Sequence, residues 1–272
     1  MTSPIRRVAR LAGLAVALVL VGMGVRILLP VQRAPTSPER STSSERLSSP
    51  AYTVSTTTPD DARTLVGYSG YAATVKPASI EVRDAPAPGA PVRVVLPDHN
   101  ENGAPQTFFI KDEQRDASGE VWYRVLLPIR PNGTTGWVRA ADVEVSGLPY
   151  RLVVYLAQFR LDVFQGPHLL RSIGLGVGTD QTPTPGGEYY IKELLRPPDP
   201  NTVYGHYVFG LSGFSNVLVN WPDGGVLGIH GTNDPAHAIA RKVSHGCLRM
   251  RNEDIEYLAG LLPLGTPVEV ET

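Results

Sequence analysis

From residue 65 to the end, apolar and polar residues alternate in short runs broken by glycine and proline. That two-residue period marks strands with one buried face. In the first half, "ATVKPASIEVRDAPAPG" is strand-like and then turns at Pro/Gly, and "PQTFFIKDEQ" alternates weakly. "GEVWYRVLLPI" and "TTGWVRAADVEV" flank "RPNGTTG", where Asn132-Gly133 predicts a hairpin. In the second half, "RLVVYLAQFRLDVF" alternates until Gln165-Gly166-Pro167 and reads as a hairpin. "LLRSIGLGVG", "TPTPGGEYYIKELL" and "VLGIHG", the last ending its strand at His230, predict further strands, and "GTPVEV" predicts a turn and a closing strand. A helix is expected over Asn252–Leu262, with Asn252 as its cap, acidic residues in the first turn and Ile255, Leu258 and Leu262 on one face. Asp234 before Pro235 predicts a further helix of one or two turns. The fold class is mainly β, in two units, 65–146 and 150–272.

The N-terminus follows a different pattern. Leu11 to Val25, "LAGLAVALVLVGMGV", is continuously apolar and follows Arg6, Arg7 and Arg10. Arg26 can snorkel to the interface before "ILLP". Small residues suited to a cleavage site are hard to find nearby, which favours an uncleaved membrane anchor over 1–30 rather than a removed signal. The leading arginines place the N-terminus in the cytoplasm and everything after residue 31 outside. Residues 31–62 are dominated by Ser, Thr and Pro and bury too little apolar surface to fold, so they read as a tether.

Charge narrows the partners. The formal net charge is −1 and there is no basic block, which argues against nucleic acid. Apolar residues make up 42% of the chain, enough to build cores. Trp122, Tyr123 and Trp137 could line a ligand groove or fill a small core; large rings favour the core for two of the three.

The chain holds one cysteine, Cys247, in "VSHGCLRM". It cannot pair within the chain, and outside the membrane an unpaired thiol is reactive. Three roles stand open on the residues alone. A lone cysteine is often a small buried hydrophobe. His230, His237, His245 and Cys247 could bind zinc, though their spacing matches no common zinc motif. The third role is a nucleophile. "NDPAHAIARKV" can fold back and bring His230 beside Cys247, where imidazole can take the thiol proton or hold an ion pair with the thiolate. Gly246 permits an unusual backbone angle and close substrate approach. His99, His168, His206 and His237 have no such company.

"IHGT" followed by "SHGCLRM" resembles the signature of the L,D-transpeptidases, bacterial enzymes with a YkuD-type catalytic domain. The likeness extends through "VGTDQTPTPGGEYYI" and "YGHYVFGLSGFSN" and covers 150–272. It implies a β-sandwich-like domain in which Cys247 accepts the acyl group and His230 is its base. Gly231 would orient His230 through its carbonyl, and Ser244 would hold the loop. His245, Gly246 and the Cys247 amide would shape an oxyanion pocket. Arg249 stands where many members carry Asn and would either bind a substrate carboxylate or make a structural pair. Tyr204 and Tyr207 fall in a substrate-covering region. The implied partner is the peptidoglycan stem peptide, with no metal or organic cofactor. The acceptor stays open: a diamino-acid amine gives a cross-linker, water an L,D-carboxypeptidase and a lipoprotein lysine an anchoring enzyme, while a non-catalytic wall-binding protein would have no use for the thiol. "VRDAPAPG", "GEVWYRVLL" and "GTTGWVRAADVE" resemble a bacterial SH3 domain, a small β-barrel, over 65–146, with "PDHNENGAPQT" as an insertion. Sortases and papain-like wall peptidases fit less well, because their motifs or the order of Cys and His differ.

Overall fold

Alternation along the first half resolves into seven short strands. They are β1 (Gly70–Val75), β2 (Ser79–Arg83), β3 (Val92–Pro97), β4 (Thr107–Arg115), β5 (Val121–Leu126), β6 (Thr135–Arg139) and β7 (Val143–Leu148). The structure, a computed structural model, describes residues 69–220 and 222–272. The expected anchor and tether lie outside the described residues; among those described, no helix is long and apolar enough to cross a membrane. The seven strands form one antiparallel sheet in the order β3-β2-β6-β5-β4-β1-β7. Ile80 and Val82 point inward while Glu81 stays exposed, so the sequence period and the buried face agree. Phe108, Val125 and Val138 close the core beneath them. Trp122 and Tyr123 are buried and Trp137 is half-buried, matching the expectation that two of the three rings are core. The Asn132-Gly133 hairpin forms between β5 and β6, with Gly133 at φ 82°.

The second half builds an eight-stranded sheet. Its elements are β8 (Tyr150–Tyr155), β9 (Arg160–Gln165), β10 (His168–Gly174), β11 (Val177–Gly178), β12 (Gly187–Leu195), β13 (Val208–Phe214), β14 (Val226–His230), α1 (Pro235–Ala238), β15 (Lys242–Ser244), β16 (Leu248–Arg249), α2 (Asn252–Ala259) and β17 (Pro267–Glu271). The order is β10-β9-β8-β17-β12-β13-β14-β16, and β11 pairs separately with β15. Leu152, Leu161, Ile191, Phe209, Leu227, Ile229 and Leu248 fill its core with Ile255 and Leu258 of α2. Each such side chain contributes about 2 kcal/mol on leaving water.

Three local expectations change. "RLVVYLAQFRLDVF" is not one run: a 3-10 turn at Leu156–Gln158 and Phe159 at φ 52° split it into β8 and β9, and Gly166 then turns β9 into β10. The helix ends at Ala259, three residues early, because Gly260 and then Pro263 end the run; Leu262 is still buried. Its N-cap is Arg251, with no side-chain cap bond, so Asn252 is the first helical residue and not the cap. The Asp234 cap is as expected, with its carboxylate accepting the His237 N–H.

The two sheets are joined by specific contacts. Tyr190 of β12 is fully buried in the core of the first sheet. The "PDHNENGAPQT" stretch reaches across: the Asn100 and Asn102 amides both donate to Glu193 Oε2 at 2.9 Å, and Glu101 pairs with Lys192. Glu193 and Lys192 are themselves buried, so these partners keep two charges from being stranded in the protein interior. Arg130 donates to the carbonyls of Ser215 and Gly224, each at 2.8 Å.

Candidate functional site

Strand β14 sorts its residues by alternation. Leu227 and Ile229 enter the core, so Gly228 and His230 face the other side of the sheet. Strand β16 lies parallel to it at the sheet edge, with Ile229 opposite Leu248 and His230 opposite Arg249. One step back along that ladder, Cys247 stands opposite Gly228. A Cβ on Gly228 would lie 3.7 Å from Cys247 Sγ, an ordinary contact distance, so the sulfur sits directly against this position. Cys247, His230 and Arg249 therefore share one face. Strand spacing and rise put the Cα atoms of Cys247 and His230 about 8 Å apart on the diagonal, within the joint reach of thiol and imidazole.

The imidazole is tightly held. His230 is 2% exposed, and its Nδ1 donates to the Gly231 carbonyl at 2.6 Å, which leaves Nε2 as the acceptor in the neutral ring. The Tyr204 ring meets it edge-on at 5.2 Å between centroids. Burial lowers its pKa to about 4; the nearby Arg249 charge adds to this, while backbone hydrogen bonds to Gly231 and Val203 oppose it. Cys247 is half-buried, and burial raises its pKa, with the Gly228 amide and the Arg249 charge pulling the other way. Burial thus pushes both groups towards their uncharged forms, thiol and neutral imidazole.

The loop carrying the thiol is held by hydroxyls. Ser244 Oγ donates to the Cys247 carbonyl at 2.6 Å and accepts the Gly246 N–H at 3.1 Å. Gly246 adopts the unusual backbone angle that its position suggested, at φ 116°, and its own amide is taken up by Ser244. Thr184, buried in the "TPTPGG" loop, donates to the Gly246 carbonyl at 2.8 Å, and Thr182 donates to the Ser244 carbonyl at 3.0 Å.

Of the nine residues singled out from sequence, Cys247, His230, Gly231, Ser244, Gly246 and Arg249 come together at this edge, and Tyr204 reaches His230. His245 lies in the same turn with its side chain exposed. Tyr207 is different: its ring packs against the domain core, its hydroxyl accepts from Arg196, and only its backbone carbonyl reaches the Gly231 N–H. Gly228, Thr184 and Val203 were not singled out. Gly228 was legible, because it sits two residues before His230 in an alternating strand. Thr184 and Val203 carry no such signal.

The zinc donor set does not assemble. His237 is exposed and paired with Asp234, and among the described residues no three His, Cys, Asp or Glu side chains converge. What the site offers is a thiol, a neutral buried imidazole with one nitrogen anchored, and an arginine on the same face. A thiol within reach of an anchored imidazole is the kind of pair that acyl-transfer chemistry can use. The model of the YkuD L,D-transpeptidase catalytic domain matches residues 149–270. The putative L,D-transpeptidase YkuD of Bacillus licheniformis is 36% identical over 154 residues, 54% of this chain and 85% of that protein. Its namesake in Bacillus subtilis is 32% identical over 151 residues, 53% of this chain and 84% of that protein. The chain belongs to the YkuD family of L,D-transpeptidases. A solved L,D-transpeptidase from Mycobacterium tuberculosis is 14% identical, with a TM-score of 0.41, covering 74% of this chain and 98% of that one; the likeness is too distant to add to the assignment.

Proposed function

We propose that this protein is a peptidoglycan L,D-transpeptidase in which Cys247 is the nucleophile and His230 its base. The observation that carries this reading is the parallel β14–β16 ladder. Its register, with Ile229 opposite Leu248 and His230 opposite Arg249, supports thiol and imidazole on one face, with Gly228 in contact with the sulfur. In the first half-reaction the thiol proton passes to His230 Nε2 as sulfur attacks the carbonyl of the L,D bond in a tetrapeptide stem. The tetrahedral oxyanion is met by the Cys247 amide in the turn shaped by His245 and Gly246. On collapse the C–N bond breaks and the proton moves from His230 to the departing D-alanine amine. In the second half-reaction the side-chain amine of a diamino acid on another stem attacks the thioester. It gives its proton to His230, which returns it to the sulfur, leaving a 3→3 cross-link.

Arg249 is the carboxylate-binding residue on this reading. Its Nε is buried without a hydrogen-bond partner among the described residues, and a substrate carboxylate would supply one. Tyr204 covers the imidazole from the substrate side, and Ser244 and Gly231 hold the loop and the ring. The first sheet, read as the SH3-like unit over 65–146, and the residues before it, read as anchor 1–30 and tether 31–62, place the catalytic unit, 150–272, outside the membrane, at the cell wall.

The test is mass spectrometry of the purified protein with a tetrapeptide stem. The expected result is an acyl adduct on Cys247 with release of D-alanine, absent in Cys247→Ala and strongly slowed in His230→Ala. An adduct that persists in Cys247→Ala would overturn the assignment.

A further inference from the structure

Asn252 opens helix α2 without capping it, and its carboxamide is used elsewhere. Its Oδ1 accepts the His206 N–H at 3.3 Å. The same oxygen occupies the place where two glycines lack a side chain: a Cβ on Gly205 or on Gly231 would lie 2.1 Å from it. Those glycines belong to the two segments that hold the imidazole. Gly231 supplies the carbonyl that takes the His230 Nδ1–H. Gly205, at φ 63°, closes the turn that carries Val203, whose backbone favours the protonated form of His230, and Tyr204, whose ring meets it. A second link runs from the same helix, where Glu256 pairs with the His206 ring. One amide oxygen is therefore wedged between the two pieces of backbone that set the ring's orientation.

We infer that Asn252 is a positioning residue for the acyl-transfer step: its carboxamide spaces the Gly231 carbonyl from the Val203–His206 strap and so fixes the angle at which His230 faces the Cys247 thiol. The inference rests on the reading of His230 as the base. It needs an oxygen at the Oδ1 position, since that atom accepts the His206 N–H while fitting against two bare α-carbons. Alanine leaves a gap there and an unpaired amide. Aspartate keeps the oxygen and the shape, and adds a negative charge against the backbone that holds the imidazole, which favours the protonated ring. The other charges facing this group are Arg249 across the ladder and the His206–Glu256 pair on the strap side.

The experiment measures the rate of Cys247 adduct formation with the tetrapeptide stem, against peptide concentration and pH, in the full chain. Asn252→Ala is expected to lower the maximal acylation rate by about tenfold, with the half-saturating peptide concentration unchanged, as befits a misaimed base. Asn252→Asp is expected to stay within about twofold of the original maximal rate, with the acid limb of its pH profile moved to higher pH. A wild-type rate in Asn252→Ala overturns the inference. So does an Asn252→Asp protein as slow as Asn252→Ala with its acid limb unmoved, since that would mark a purely structural contact. Should Asn252→Ala fail to fold, the Asp variant decides against the original protein: a maximal rate about tenfold lower with the acid limb unmoved overturns the inference, and a rate within about twofold with the limb moved to higher pH supports it. His230→Ala runs alongside: a wild-type acylation rate there would sink the base assignment itself, a different failure.

Discussion

Acid should weaken this fold through His230 in a way that substitution can isolate. Burial holds the ring's pKa at about 4, against 6.5 for an ordinary histidine. Between those values the unfolded chain binds a proton that the folded chain refuses. Stability therefore rises with pH across this window, is fully present above about 6.5, and is lost as pH falls towards 4. The whole gap corresponds to about 3 kcal/mol, of which about 2 kcal/mol is gone by pH 4.5. The conversion is apt because His230 is 2% exposed and solvent screens it little. Carboxylates that titrate in the same range also alter stability, so the measurement must be a double difference. Urea unfolding of the original protein and of His230→Gln at pH 7 and pH 4.5 supplies it. The original should lose about 2 kcal/mol more than the variant on acidification. Equal losses would mean that the ring takes up its proton in place, and that the site is wetter than its burial indicates.

Other substitutions probe separate contacts. Gly228→Ala places a methyl group 3.7 Å from Cys247 Sγ and 3.3 Å from the Phe209 carbonyl. The methyl meets the sulfur at an ordinary contact distance, so adduct formation should stay within about twofold of the original rate; a tenfold loss would show that the sulfur moves into that space during the reaction. Ser244→Ala removes the donor to the part-buried Cys247 carbonyl and the acceptor of the buried Gly246 N–H, and urea unfolding should register a loss of about 2 kcal/mol. Arg249→Met removes a positive charge that lowers the pKa of both His230 and Cys247. The acid limb of the acylation profile should move to higher pH, whatever happens to its height, and thiol alkylation with iodoacetamide should need more alkaline conditions.

How much of this site the sequence carries depends on which kind of bond makes each contact. Facing is legible: the alternation in "VLGIH" says that His230 leaves the core side and that Gly228 leaves with it. Adjacency is not. Strand β16 is two residues long and runs parallel to β14, and nothing in "SHGCLRM" has the length or the period of a strand. Resemblance to a known signature supplied that adjacency; periodicity did not. The ladder is made of backbone N–H and C=O groups that nearly every residue owns, so its register leaves little mark on side-chain identity unless a buried face demands one. Leu248 is that demand here, since its place in the core beside Ile229 sets Arg249 opposite His230 and Cys247 opposite Gly228. The same limit explains Asn252, whose place at the head of an apolar-periodic run predicts a cap. The competing partners, Gly205 and Gly231, lie 47 and 21 residues earlier in the chain and become its neighbours only when the sheet closes. It explains Lys192 and Glu193 as well, read as ordinary strand residues until the 97–107 stretch of the other sheet buries and pairs them. Local chemistry predicts which way a side chain points, and the third dimension decides what it meets.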